Sequence, residues 1–71
     1  MNSQYLKITI NGQPFNCYSS MSIEDILLYL NINLHQVIIE YNRQIINSLD
    51  FSNILVEEGD SLEIITIVGG G

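Results

Sequence analysis

At 71 residues the chain has room for one small domain. A chain this short buries only ~60% of its unfolded surface, too little to enclose a deep catalytic cavity and still keep a core. Apolar residues make up 46% and charged residues only 14%, which excludes a highly charged disordered tail. Two basic residues, Lys7 and Arg43, face eight acids for a net charge of −6, so phosphate backbones and anionic membranes would repel the chain, and neither nucleic acid nor membrane is an expected partner. The single cysteine, Cys17, has no internal disulfide partner, and one Cys with one His cannot build a zinc site. No metal or bound cofactor is expected. No basic-then-apolar leader and no apolar run of ~20 residues stands out, so the expectation is a soluble protein that is not an enzyme by itself and has no catalytic residues.

In chain order, Tyr5 to Ile10 alternates, with Leu6, Ile8 and Ile10 on one face and Tyr5, Lys7 and Thr9 on the other, the period-two pattern of a half-buried strand. Asn11-Gly12 tolerates positive φ at both turn positions and closes a tight hairpin. Gln13 to Tyr18 returns as a second strand with Phe15 and Cys17 on one face, and Pro14 and Asn16 place it at a sheet edge. Ile23, Ile26, Leu27 and Leu30 then fall on one stripe of a helix over residues 23–30. Ser22 caps its free amides, with Asp25 as the reciprocal partner of a capping box, Glu24 and Asp25 at the positive end of the dipole, and Met21 and Ile26 as a hydrophobic staple. Asn31 and Asn33 end the periodicity.

Val37 to Tyr41 is rich in β-branched and aromatic residues and predicts a third strand. Asn42-Arg43 forms the turn to a short fourth strand over residues 44–46. Asn47 to Asn53 is irregular, with one helical turn, and Glu57 to Asp60 is another turn. Ser61 to Val68 is a last, strongly apolar strand before Gly69, Gly70 and Gly71. One helix serves the whole sheet and can cover only one face. The solution is an α+β β-grasp: a mixed four- to five-stranded sheet with one crossing helix, the last strand parallel to the first in the middle, and a right-handed crossover between them. The β-grasp domain spans residues 1–68 and a flexible tail residues 69–71.

Gly-rich phosphate loops, serine elbows and paired nucleophiles are missing from the pattern. Cys17 alternates inward as a small buried hydrophobe, and His35 is a surface polar residue in a loop. The tail is different. Three consecutive glycines arise by chance at only ~3 × 10⁻⁴, from a usage of ~7% each, and they follow a strong strand with no intervening turn. Extended, they reach ~10 Å and, lacking Cβ atoms, pass where no other residue fits. Such an arm suits delivery of a carboxylate into a narrow channel of a partner, where ATP would have to activate it.

The run from Glu57 through Asp60, Ser61, Leu62, Glu63, Ile64, Ile65, Thr66, Ile67 and Val68 to Gly69-Gly70-Gly71 resembles the end of the ThiS sulfur carriers of thiamine biosynthesis. Val37 to Ile46 is similar to their middle hairpin, and Asn11-Gly12 matches their first turn. Two features depart from that pattern: the pair Asn47-Ser48 stands where the family often has Pro-Arg, and Ile67 where an aromatic is common. The resemblance implies a ubiquitin-like β-grasp and a cycle centred on Gly71. A ThiF-like adenylating enzyme uses ATP to activate the Gly71 carboxylate, a cysteine desulfurase or other persulfide donor supplies sulfur, and the resulting thiocarboxylate serves thiazole synthase. Alternatives of related chemistry are the small subunit of molybdopterin synthase and a ubiquitin-like protein modifier.

Two sets of docking residues follow. Glu57, Glu58, Asp60 and Glu63 are expected close to the tail, steering it toward a basic surface. Ile65, Ile67 and Val68 belong to a partner-binding site, because Glu63 marks its set of the last strand as outward and leaves Ile65 and Ile67 exposed, with Tyr5 and Tyr18 widening the patch. Thirteen Ile and eight Asn with no Ala or Trp suit an AT-rich genome, so the expected location is cytoplasmic, or the plastid stroma if plastid-encoded.

Overall fold

Each alternating segment forms a strand in the computed structural model, which describes residues 5–67. The first is β1 (Tyr5–Ile10), joined by a tight turn to β2 (Gln13–Tyr18). Helix α1 (Ile23–Tyr29) follows, then β3 (Val37–Tyr41), β4 (Gln44–Ile46) and β5 (Ser61–Thr66). Short 3₁₀ turns occupy Leu34–Gln36 and Ser48–Asp50. The five strands lie in the order β2-β1-β5-β3-β4, with β1 and β5 parallel and the other neighbours antiparallel. This is the mixed sheet with one helix that the β-grasp reading requires, and β2 stands at the edge that Pro14 marks.

Local chemistry explains the turns. Asn11 and Gly12 take φ of 52° and 81°, and Asn42 and Arg43 take 50° and 72°, so both hairpins use two left-handed residues, whose twist matches that of the flanking strands. Asn31 ends α1 in the same region at φ 60°. Its N–H donates to Leu28 O at 3.0 Å and that of Ile32 to Leu27 O at 2.8 Å, a pair of bonds that satisfies the last carbonyls. The helix therefore stops at Tyr29, with Leu30 as its C-cap, one residue short of the predicted end.

The start of α1 is fully satisfied. Asp25 N–H donates to Ser22 Oγ at 3.0 Å and Ser22 N–H to Asp25 Oδ2 at 2.9 Å, completing the capping box. The remaining first-turn amides use a segment that sequence patterning left irregular. Ile23 N–H donates to Ile54 O at 3.0 Å and Glu24 N–H to Phe51 O at 3.1 Å. That segment carries Phe51 and Val56 into the core beside Ile8, Cys17, Ile23, Ile26, Leu27, Val37, Ile39 and Leu62. Partly buried Met21 packs against the same core. No described helix is long and apolar enough to cross a membrane.

Ser22→Ala should lower unfolding free energy by about 1 kcal/mol, the usual cost of a lost N-cap, as measured by urea titration. An unchanged midpoint would mean that residues 51–56 alone hold the first turn.

Candidate functional site

The expected site residues lie on β5 and the turn before it, and register decides where each one points. On the helix side, Leu62 is fully buried and Ile64 half-buried, while Thr66, expected inward, is exposed because the strand runs past the core. On the outer face, Ile65 and Ile67 are each 47% exposed. Ile38 of β3 pairs with Ile65 and is also exposed, which extends the apolar row across two strands. One level below, Glu63 faces Glu40, and Glu40 faces exposed Ile45 on β4. Two carboxylates directly opposed across an antiparallel pair repel each other in the free chain. The outer face therefore combines isoleucines with unfavourable like charge, an arrangement that a basic, apolar partner surface would relieve.

One expectation needs correction. Tyr5 and Tyr18 do not widen the Ile65 patch. They stack on each other with ring centroids 4.9 Å apart. The parallel pairing of Ile10 with Leu62 places Tyr5 about eight residue levels, on the order of 25 Å, below Ile65. Instead the two rings border a cavity of about 280 Å³ between β2 and α1, lined also by Phe15, Cys17, Met21 and Tyr29. The four acids divide between the turn before β5 and the strand itself. Glu57, Glu58 and Asp60 precede β5, so Asp60 lies six residues, about 20 Å in extended chain, from Thr66. Only Glu63 shares a face with Ile65 and Ile67.

Moreover, two of those acids are engaged internally. Asp60 Oδ2 accepts from Tyr41 Oη and, at 2.7 Å, from Glu57 N–H, while Oδ1 accepts from Asn42 Nδ2 at 3.1 Å. Asn42 Oδ1 in turn accepts from Ser61 N–H at 2.8 Å. This network locks the β3–β4 turn to the first residue of β5. Glu58 Oε1 accepts from Lys7 N–H at 3.0 Å. Burial first, and then the bond to Asp60 and the charges of Asp60 and Glu57, push the Tyr41 phenol up to about 12. Cys17 is buried, and burial followed by the charges of Glu58 and Asp60 raises its thiol, which disfavours the reactive thiolate. His35 is exposed on its 3₁₀ turn.

Sequence patterning gave no sign of Asn11's part. Its side chain continues the β1–β5 ladder beyond the end of β1, because Oδ1 accepts from Ile64 N–H at 2.7 Å and Nδ2 donates to Ile64 O at 3.3 Å. Only the left-handed conformation of a turn asparagine hinted that its carboxamide was available. Val68, Gly69, Gly70 and Gly71, which carry the tail reading and the boundary at residue 68, lie outside the described residues.

The model of the ThiS family matches residues 8–71. The chain belongs to the ThiS family. Among solved structures, the thiamine biosynthesis protein ThiS of Geobacter metallireducens superposes with a TM-score of 0.81 at 26% identity, covering 93% of this chain and all of that one. The ubiquitin-like β-grasp is thus common to both. A protein of Porphyra purpurea designated ycf40 is 39% identical over the full length of both chains. A thiazole synthase of Paramagnetospirillum magneticum is 35% identical over 66 residues, 93% of this chain but 20% of that larger protein.

The raised Tyr41 group gives a pH dependence with a definite sign. The unfolded phenol ionises near ~10 and the folded one near about 12, so the contribution is complete below pH ~10 and is lost as pH rises through 12. Urea midpoints should therefore fall across that window, and Tyr41→Phe should flatten the fall. An equally steep decline in the variant would remove Tyr41 as its source.

Proposed function

We propose that this chain is a sulfur carrier of thiamine biosynthesis and that Gly71 carries the sulfur. The reading rests above all on the ThiS match, which runs through the three glycines to residue 71. In this reading a ThiF-like adenylating enzyme attaches AMP to the Gly71 carboxylate from ATP, turning a poor electrophile into a mixed anhydride with a good leaving group. The terminal sulfur of a persulfide from a cysteine desulfurase or another donor displaces AMP to give an acyl disulfide; a second thiol then forms a disulfide with the donor cysteine and releases the thiocarboxylate, which passes to thiazole synthase. That a thiazole synthase contains a stretch similar to nearly all of this chain supports that enzyme as the acceptor. ATP is used by the partner, and the carrier's own residues supply no acid, base or nucleophile for these steps.

Within that cycle the outer face has a defined task. Ile65, Ile67 and Ile38, with Glu63 and Glu40 beside them, form the surface that a partner grips while Val68 to Gly71 enter its active site. Glu57 keeps a place in charge steering, whereas Asp60 and Glu58 act chiefly within the fold. The ycf40 relatives come from plastid genomes, which supports a stromal location.

Two measurements test this reading. Incubation with ATP, the adenylating enzyme and a sulfur donor should raise the intact mass by the difference between sulfur and oxygen, and deletion of Gly70-Gly71 should abolish that gain. High-molecular-weight conjugates in place of the gain would favour a protein modifier instead. Ile65→Asp should leave the unfolding midpoint nearly unchanged, since the side chain is already half in solvent, and weaken binding to the adenylating enzyme by about tenfold or more, the range of a buried apolar anchor. Full binding by the folded variant would remove Ile65 from the interface.

A further inference from the structure

β5 is a central strand for only half its length. β3 pairs with it from Leu62 through Thr66, but β1 pairs only at Thr9–Ser61 and Ile10–Leu62 before turning away. Asn11 extends the β1 side by one step, its N–H donating to Leu62 O at 2.8 Å and its carboxamide holding both backbone groups of Ile64. Leu62 and Ile64 thus turn their peptide groups toward β1, whereas Ile67 N–H points the other way, to Gln36 O at 2.7 Å. The same alternation aims the N–H and C=O of Thr66 past Asn11, where no described strand or side chain continues the ladder. The approach is open: Thr66 and Asn11 are exposed, and no atom of the described residues lies within 4 Å of where a Cβ on Gly12 would stand.

Natural sheets protect such an edge with lysine, proline, a bulge or a covering loop. This edge is Ile65-Thr66-Ile67, three strong strand formers with neither charge nor proline. We propose that it is a strand-addition site, at which an extended segment of the ThiF-like adenylating enzyme pairs with the backbone of Thr66 and continues the sheet beside the outgoing chain. The inference rests on the sulfur-carrier reading and names how the partner grips the carrier. Backbone pairing would supply orientation, and the flanking Ile65 and Ile67 side chains would supply contact area. The occupant is a partner of opposite charge rather than a second copy, because two chains of net charge −6 repel when aligned edge to edge. A strand paired at Thr66 also fixes the direction of the backbone five residues before Gly71, which a grip on side chains alone would leave free to rotate.

Amide hydrogen exchange, read alongside activation kinetics, tests the proposal. In the free chain Thr66 N–H should exchange rapidly, and in the complex with the adenylating enzyme it should slow by at least about tenfold, the equivalent of one well-made hydrogen bond. Thr66→Pro removes this donor without taking a bond from β3, and Ile65 before it is already extended, as a residue preceding proline must be. Adenylation of the proline variant should slow by about the same factor, while Thr66→Val, which keeps the N–H, should react like the wild type. An amide that exchanges equally fast in the complex overturns the proposal, as does a folded proline variant activated at the wild-type rate. If the proline variant does not fold, the exchange measurement decides alone. Protection of Thr66 in a complex that never adenylates Gly71 would uphold strand addition and sink the sulfur-carrier reading instead.

Discussion

One helix of seven residues has to close the core of a five-stranded sheet, and most of the architecture answers to that mismatch. At 1.5 Å per residue the helix is about 10 Å long, whereas five strands spaced ~4.8 Å apart span nearly twice that. The deficit is made up by residues 51–56, which bring Phe51 and Val56 under the sheet and give their carbonyls to the first turn of the helix. Packing and capping are therefore one device: the segment that fills the core also satisfies the amides that would otherwise face it. What the helix and this segment cannot reach is left to solvent, and it comprises the whole outer face and the last third of β5.

The same economy separates holding from docking. At its start β5 is fixed by the Asn42 side chain on Ser61 N–H, with Asn42 held in turn by the Asp60 carboxylate, and in its middle by the Asn11 side chain on Ile64. Bonds to a carboxylate are stronger than neutral ones, so the firmest anchorage lies farthest from the tail. Toward Thr66 the restraints thin to the single neighbour β3. β5 is therefore rigid at its root and open at its tip.

Much of this was visible in the residue pattern. Alternation, β-branched enrichment and turn placement located the five strands, Asn-Gly and Asn-Arg located the hairpin turns, and Ser22 with Asp25 located the helix start, because each of these signals is local and its physics is complete within a few residues. The burial of Cys17 followed from period two, and the outward set of β5 from period two together with the charge of Glu63. What the pattern could not give was anything set by stagger between strands distant in sequence. The separation of Tyr5 from Ile65 depends on β1 pairing with the beginning of β5 rather than its end. Asp60 looked like one more surface acid because its partners, Tyr41 and Asn42, meet it only after β3 and β5 are side by side. The docking of Phe51 escaped notice because no periodicity runs through residues 47–56.

The carboxamide of Asn11 bears on how the protein ages. An asparagine followed by glycine is prone to closure of its side chain on the next amide nitrogen with loss of ammonia, one reason asparagine counts among the thermolabile residues. Here the group is held against both backbone groups of Ile64, and that attachment restrains the rotation ring closure needs. Folding therefore shields the residue on which the β5 ladder ends. Should the amide be lost, the new carboxylate would have no donor for the Ile64 carbonyl and would set a negative charge against it. The ladder would then fail one step earlier, and chemical damage at a hairpin turn would appear as a loosened far end of β5.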